Sequence, residues 1–468
     1  MSEVASSTFV ADGAARDERQ SHAADRWPVA RKWSDDERDA HLPIEVARPR
    51  TTKEVAAVLR RASATGVPVV PFGAGSGVVG SIVSDRRPIC IDLSAMTDVI
   101  TVDEEAGLVT VQAGKLAGEL EQELNARGLR VPHYPQSLYI ASIGGLVATR
   151  SSGTFSSKYG NIEDLIVAVE AVLADGTVVQ TKVTPRASTG PNLLQLFVGS
   201  EGSLAVITQV TLRAIPLAET TEYVGVAFDR LEDALSAVRA IISRGVRAAV
   251  IRIYDPIEAE HLYSSAGVEG HDRSLLILAF DGPGGIVKAE MDVASAETDR
   301  FGGVQLGSGI GETWERNRFD ASWFDRGNSP ETGFADAIEV AATWPVLVGL
   351  RETVLAALEP YTDTRYAHYS HFYTNGGSIY FIFTTSAVTV AEARERYHAA
   401  WAAAMETVLA AGGSISHHHG VGLARNRWLP AELGTSHTLL RRIKNALDPD
   451  GRLNPGKLGI DHIEESTP

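Results

Sequence analysis

Between residues 53 and 65, Val55, Val58 and Leu59 fall on one side of a 3.6-residue repeat, which predicts an amphipathic helix. The apolar run after it, residues 67–72, reads as a strand, as do residues 88–93 and 107–113. Residues 116–128 read as an amphipathic helix ending at glycine. The runs 165–173 and 178–182 flank Asp175-Gly176 and predict a hairpin. Residues 204–212, rich in β-branched side chains, read as a strand. Strands and helices interleave, so the class is α+β or α/β.

The texture changes after Pro216. Residues 221–228, 248–254 and 275–280 read as strands, 231–244 as a helix, and 284–302 contains another. This strand–helix–strand–strand–helix order suits a ferredoxin-like second domain. Residues 312–334 are polar, aromatic and irregular. Residues 364–385 return to strands, 391–411 form a long Ala-rich helix, and 412–461 carry Gly, His and a short helix over 435–447. The expected domains are 26–217, 218–411 and a C-terminal segment, 412–468, that completes the active site. Residues 1–25 are polar and weakly periodic, and are expected to be a disordered tail.

A length of 468 residues suits two or three domains. The net charge of −16 argues against nucleic acid and anionic membranes as bulk partners. An anionic substrate then needs a local basic pocket. The single cysteine, Cys90, excludes an internal disulfide framework and a Cys metal cluster. Its strand-like setting suits a small buried apolar role. No signal-peptide core or bilayer-length apolar run is seen, and a cytoplasmic location is expected.

Pro71, Phe72, Gly73, Ala74, Gly75, Ser76 and Gly77 follow the first strand with little side-chain bulk, so their N–H groups can approach a diphosphate. Gly75, Gly77 and Gly80 formally match a nicotinamide fingerprint. That reading is rejected, because only residues 81–87 precede the next strand, too few for the crossover helix. Two more small-residue segments, 142–149 and 199–204, suggest one long ligand laid across the fold, and a dinucleotide fits.

Residues 133–164 contain Gly144-Gly145, Thr149-Arg150-Ser151-Ser152-Gly153 and Tyr159-Gly160-Asn161-Ile162-Glu163-Asp164. This stretch resembles the flavin-binding core of the vanillyl-alcohol-oxidase superfamily, and most of all the alkyldihydroxyacetonephosphate synthases. Residues 196–208 and 416–422 continue the likeness. The resemblance implies a PCMH-type, two-subdomain α+β module that binds FAD. It further implies that residues 73–77 wrap the diphosphate, with Gln136, Ser137, Ser142, Gly144 and Gly145 along the second side. Thr149, Ser152 and Gly153 would approach the flavin, and Glu201, Gly202 and Ile207 would hold the two ends of the cofactor.

His417, His418 and His419 are consecutive. Neighbours in an extended segment point to opposite faces, so only His417 and His419 would converge, and no metal is expected. A solvated or core histidine run is one reading. The resemblance implies instead a cluster over the flavin face, able to pass protons near neutrality. Tyr380 stands in a strand where the synthases carry a catalytic tyrosine. A phenolate there beside cationic imidazole would act as general base; the alternative is an aromatic that only packs. Arg252 resembles an active-site arginine suited to a carboxylate or phosphate, or else pairs with Asp255. His368 and His371 flank Tyr369 and are further pocket candidates.

Three functions stay open. One is ether-lipid synthesis, exchanging the acyl group of acyl-dihydroxyacetone phosphate for a long-chain alcohol. The second is FAD-dependent oxidation of a 2-hydroxy acid or related alcohol. The third is flavin binding without catalysis. The histidine run favours the synthase, whereas Tyr134 and Gln136 stand where that family has acidic residues. A small-molecule or lipid-like substrate, a homodimer and transient contact with a membrane surface are expected.

Overall fold

The computed structural model of the chain describes residues 12–268, 272–320 and 322–460. Glu45–Ala47, Ile89–Asp92 and Val69–Phe72 form a parallel three-stranded sheet in that order. Every residue of the central strand is buried, as a parallel strand covered on both faces must be. Helix Thr52–Thr65 buries Val55, Ala56, Leu59 and Ala62. Thr51 caps its start through the Glu54 N–H, and Gly66, at φ +72°, ends it. A five-stranded antiparallel sheet follows, ordered Val99–Asp103, Leu108–Gln112, Val206–Arg213, Ile166–Val172, Val178–Gln180.

The second half is built on a seven-stranded antiparallel sheet. Its first four strands lie in the order Val304–Gly307, Thr220–Phe228, Ser274–Gly282, Val250–Tyr254. With helices Leu231–Ser243 and Gly284–Arg300 they make the expected ferredoxin-like unit. Thr364–Tyr373, Gly376–Ser386 and Gly333–Thr343 complete the sheet. With helices Trp344–Leu358 and Val390–Ala410 they repeat three quarters of the same arrangement. A lone bridge from Ala341 to Ser414 stands where the fourth strand of this second unit would lie. The chain leaves that bridge directly into His417.

The two units meet where Ile253 pairs Tyr369 and Tyr254 pairs His368. Side chains alternate across the sheet. Ile251, Ile253, Leu276 and Leu278 pack under the helices, whereas Val250, Tyr254, Leu275 and Ile277 pack against the first half. Arg252, between Val250 and Tyr254 on the same face, therefore points into the space between the halves. The C-terminal segment then returns to the first sheet through a parallel bridge from Val69 to Leu453.

Three expectations are corrected. Residues 12–25 are not a disordered tail: Asp12–Ser21 is helical, and His22 and Asp25 are buried. Tertiary partners override the polar composition, because His22 Nε2 reaches Asp92 at 3.2 Å and Asp25 accepts the Trp27, Gly80 and Ser81 N–H groups. The rest of that tail, residues 1–11, lies outside the described residues. Second, much of 312–334 is regular, with helices Gly309–Asn317 and Ser322–Asn328. They are short, nine and seven residues, although the first buries Ile310 and Trp314 on one face. Third, strand Gly333–Thr343 and helices Pro256–Ala266 and Trp344–Leu358 escaped the pattern reading. Cys90 is buried, and burial pushes its thiol up. Among the described residues, no helix is long and apolar enough to cross a membrane.

Candidate active site

A cleft of about 990 Å³ separates the two halves. Pro71, Phe72, Gly73, Ala74, Gly75, Ser76 and Gly77 border one end. Gly75 sits at φ +63°, a conformation that favours glycine. A Cβ on Gly73 would collide with Ser142 Oγ, and one on Gly202 would lie 2.8 Å from Pro71 Cγ. The N–H groups of residues 73–77 donate to no protein acceptor among the described residues. Such a row of bare amides fits a diphosphate. Gln136, Ser137, Ser142, Gly144 and Gly145 border the same end, with Thr149, Ser152, Gly202 and Ile207 further along. Gly153 does not border the cleft; a Cβ there would lie 2.6 Å from the Tyr134 nitrogen, so its bareness serves packing.

The facing wall is set by strand register. Tyr254, His368, Tyr380 and Glu339 form one row across four neighbouring strands. A register shift between Ser370 and Tyr373, with His371 at φ +49°, turns His371 toward Tyr380, as bulges re-aim side chains. Tyr380 Oη lies 3.3 Å from His371 Nε2 and 3.0 Å from His418 Nε2. His418 Nδ1 meets His417 Nδ1 at 3.0 Å, and His417 Nε2 meets Tyr373 Oη at 2.7 Å. Tyr380, His418 and His419 border the cleft; His371 and His417 stand behind them.

Two buried carboxylates fold the histidine loop. Glu339 accepts the N–H groups of His417, His418 and His419, with the last at 2.8 Å. Arg425, fully buried, donates to the same carboxylate at 3.1 Å. Glu201 accepts the Val421 and Gly422 N–H groups. Glu201 thus borders the cleft, while its carboxylate ties the C-terminal loop to the first half. Loop bending also overturns the expectation that His417 and His419 converge, since His417 and His418 meet instead. Ring nitrogens of His371, His417 and His418 lie within 4.8 Å of one another, a spacing that could hold an ion. All six are engaged in hydrogen bonds, with Ser156 on His371 Nδ1 at 2.8 Å.

The electrostatics correct the phenolate–imidazolium picture. Burial pushes the Tyr380 phenol well up, and Arg252 only partly opposes this. Burial lowers His417 and His418 to about 3 and His419 to about 4. Burial would raise Glu339, but Arg425 and the three imidazoles outweigh it and hold the carboxyl well below its usual range. At neutral pH the wall is therefore neutral phenol and neutral imidazole over one carboxylate, able to accept a proton.

Arg252 does not pair with Asp255, which binds Arg351 at 2.8 Å. Its guanidinium donates to His368 Nε2 at 2.7 Å, and His368 Nδ1 faces Glu258 at 2.9 Å. No carboxylate pairs with Arg252 among the described residues, and its buried Nε has no partner. Trp314 and Tyr254 flank it, 5.7 and 5.5 Å from the guanidinium carbon to each ring centre. Glu339, Tyr373, Glu258 and Trp314 were missed in the sequence. The first three depend on strand register or a distant helix, and Trp314 lay in the stretch read as irregular.

Bare amides for a diphosphate facing a tyrosine–imidazole wall define a flavoenzyme, and the sequence comparisons agree. The FAD binding domain family matches residues 43–182 and the FAD linked oxidases C-terminal domain family matches 217–458. The chain belongs to the FAD-linked oxidase family, and its cofactor is FAD. It is 32% identical over 435 residues to the uncharacterized FAD-linked oxidoreductase YgcU of Escherichia coli O157:H7, covering 89% of each chain. It is 29% identical to alkyldihydroxyacetonephosphate synthase of Dictyostelium discoideum, covering 89% of this chain and 73% of that one. A solved structure of alkyldihydroxyacetonephosphate synthase superposes with a TM-score of 0.78 at 25% identity, covering 94% of this chain and 81% of the other.

Proposed function

We propose that the chain is an FAD-dependent oxidoreductase acting on a small hydroxylated anion, a 2-hydroxy acid or related alcohol. The observation that carries this reading is Arg252, a guanidinium without a carboxylate partner among the described residues, bordering the cleft near Tyr380. It would take the substrate's carboxylate or phosphate as a charge-assisted fork. Glu258, His261, Asn317, Arg318 and Asp320 border the cleft beside the apolar Tyr254, Leu262, Trp314 and Phe319, so its lining offers polar groups to a small substrate next to apolar surface.

Residues 73–77 would hold the diphosphate, and Thr149 and Ser152 would lie along the ring. Bound FAD supplies the hydride acceptor. Tyr380 would receive the substrate hydroxyl proton and pass its own to His418, 3.0 Å away on the same wall; proton transfer of this kind needs groups within hydrogen-bond reach. We propose a cytoplasmic homodimer; its molar mass in solution, measured by light scattering, checks the dimer.

A second reading, the redox-neutral ether synthase, is favoured by Tyr380 facing three imidazoles and by the likeness to the synthases. Anaerobic mixing of the FAD-loaded protein separates the two. Bleaching of the flavin by a 2-hydroxy acid supports the oxidoreductase. Ether formation from acyl-dihydroxyacetone phosphate and a long-chain alcohol, without net bleaching, supports the synthase and overturns the first reading.

A further inference from the structure

A second tyrosine stands behind the wall, outside the cleft. Tyr373 Oη meets His417 Nε2 at 2.7 Å and the Asn161 amide, 3.1 Å from Nδ2 and 3.2 Å from Oδ1, with the Ser152 and Ser156 hydroxyls also acting on it. Asn161 Oδ1 in turn accepts the Ser152 hydroxyl at 2.5 Å, and Ser152 borders the cleft. One chain of bonds therefore runs Tyr380, His418, His417, Tyr373, Asn161.

Each neutral imidazole carries one ring proton, so the chain has two self-consistent directions. Glu339 selects between them. Its Oε2 lies 3.7 Å from His418 Nδ1, and a carboxylate favours a proton on the nearer nitrogen. With the proton on Nδ1, His418 donates to His417 Nδ1 and leaves Nε2 open to the Tyr380 hydroxyl. His417 must then carry its proton on Nε2, and Tyr373 Oη is the acceptor for it. The Tyr373 hydroxyl points on to Asn161 Oδ1. At the other end, Ser156 donates to His371 Nδ1, and His371 Nε2 donates to Tyr380 Oη.

We infer that Tyr373 is a positioning residue that, by accepting the His417 Nε2 proton, supports the His417 tautomer that Glu339 selects and so keeps His418 Nε2 ready to accept the Tyr380 proton. The consequence for turnover rests on the oxidoreductase reading above. In that reading the substrate C–H bond would break and its electron pair would leave as hydride to the acceptor that bound FAD would supply. The substrate O–H proton moves to Tyr380 Oη, and the Tyr380 proton moves to His418 Nε2. A carbonyl product remains, with one imidazolium beside Glu339. With the opposite His417 tautomer, His417 Nδ1 would donate to His418 Nδ1, the His418 proton would sit on Nε2, and the acceptor facing Tyr380 would be lost.

Two measurements on FAD-loaded protein test this. ¹⁵N-histidine spectra, with the His417 signal assigned by its loss in His417→Gln, report the tautomer without any substrate. The wild type should show His417 protonated on Nε2, and Tyr373→Phe should shift that population toward Nδ1 while the flavin stays bound. Protonation of wild-type His417 on Nδ1 would overturn the inference. With a substrate that bleaches the wild type, Tyr373→Phe should lower kcat at least about tenfold, as loss of a tautomer-setting partner does elsewhere. KM should change little, and the solvent isotope effect should rise. Wild-type kcat and isotope effect in Tyr373→Phe would also overturn it. If no hydroxy acid bleaches the wild type, the oxidoreductase reading fails, and the tautomer result still stands by itself.

Discussion

Tyr380 and Arg252 divide the work of the cleft between a proton and a charge. Tyr380 hydrogen-bonds two imidazoles, so Tyr380→Phe removes the hydroxyl and leaves the ring. It should lower flavin reduction about 10²–10⁴-fold with unchanged visible absorbance, as stopped-flow mixing would measure. Among the described residues Arg252 touches only His368 by hydrogen bond. Arg252→Met should raise KM for an anionic substrate roughly 10- to 100-fold, the worth of a charge-assisted bond, and leave flavin content unchanged. Gly73 is a test of the other end. A Cβ there meets Ser142 Oγ and the neighbouring Gly145 backbone, so Gly73→Val should yield colourless protein that takes up added FAD poorly.

The histidine loop is the element that joins the two halves. It has no regular secondary structure; its shape comes from Glu339 on one side and Glu201 on the other. Glu339→Ala strips Arg425 of its carboxylate inside the protein. Loss of one partner of a buried pair costs about 3–5 kcal/mol, so the denaturant midpoint should fall accordingly; an unchanged midpoint would remove Glu339 from this role. The same loop shows the reach of sequence reasoning. The glycine run at 73–77 was legible because bare backbone is itself the working surface there. The three histidines were visible by type, but their directions were not, since Glu339 is 78 residues from His417 along the chain and only strand pairing brings it beneath them. Tyr373 and His371 depend on a bulge that no local pattern announces. The second ferredoxin-like repeat was hidden because its fourth strand has shrunk to one bridge at Ser414.

At the scale of the whole molecule, burial of neutral imidazoles couples stability to pH. His133 is fully enclosed, neither ring nitrogen has a partner among the described residues, and burial lowers it to about 3. An unfolded histidine titrates near 6.5. Between those values the unfolded chain binds the proton and the native protein does not, so stability falls as pH drops below about 6.5. His417, His418 and His419 act in the same direction. Asp336, raised by burial to about 6, opposes them from there down to the ordinary aspartate value of about 3.9. Comparison with His133→Leu isolates one contribution, because the opposing carboxylates are unchanged. The variant should lose less thermal stability than the wild type between pH 7 and pH 4; an identical loss in calorimetry would show that His133 is not held neutral.

The account as a whole depends on where the flavin ring sits. A crystal structure of the FAD complex measures this directly. The ring should lie between the loop of residues 73–77 and the sheet wall, with Tyr380 Oη and the His419 imidazole in contact with it or with a bound substrate, within about 4 Å. A ring lodged away from Tyr380, with Arg252 and the imidazoles facing empty solvent, would contradict it.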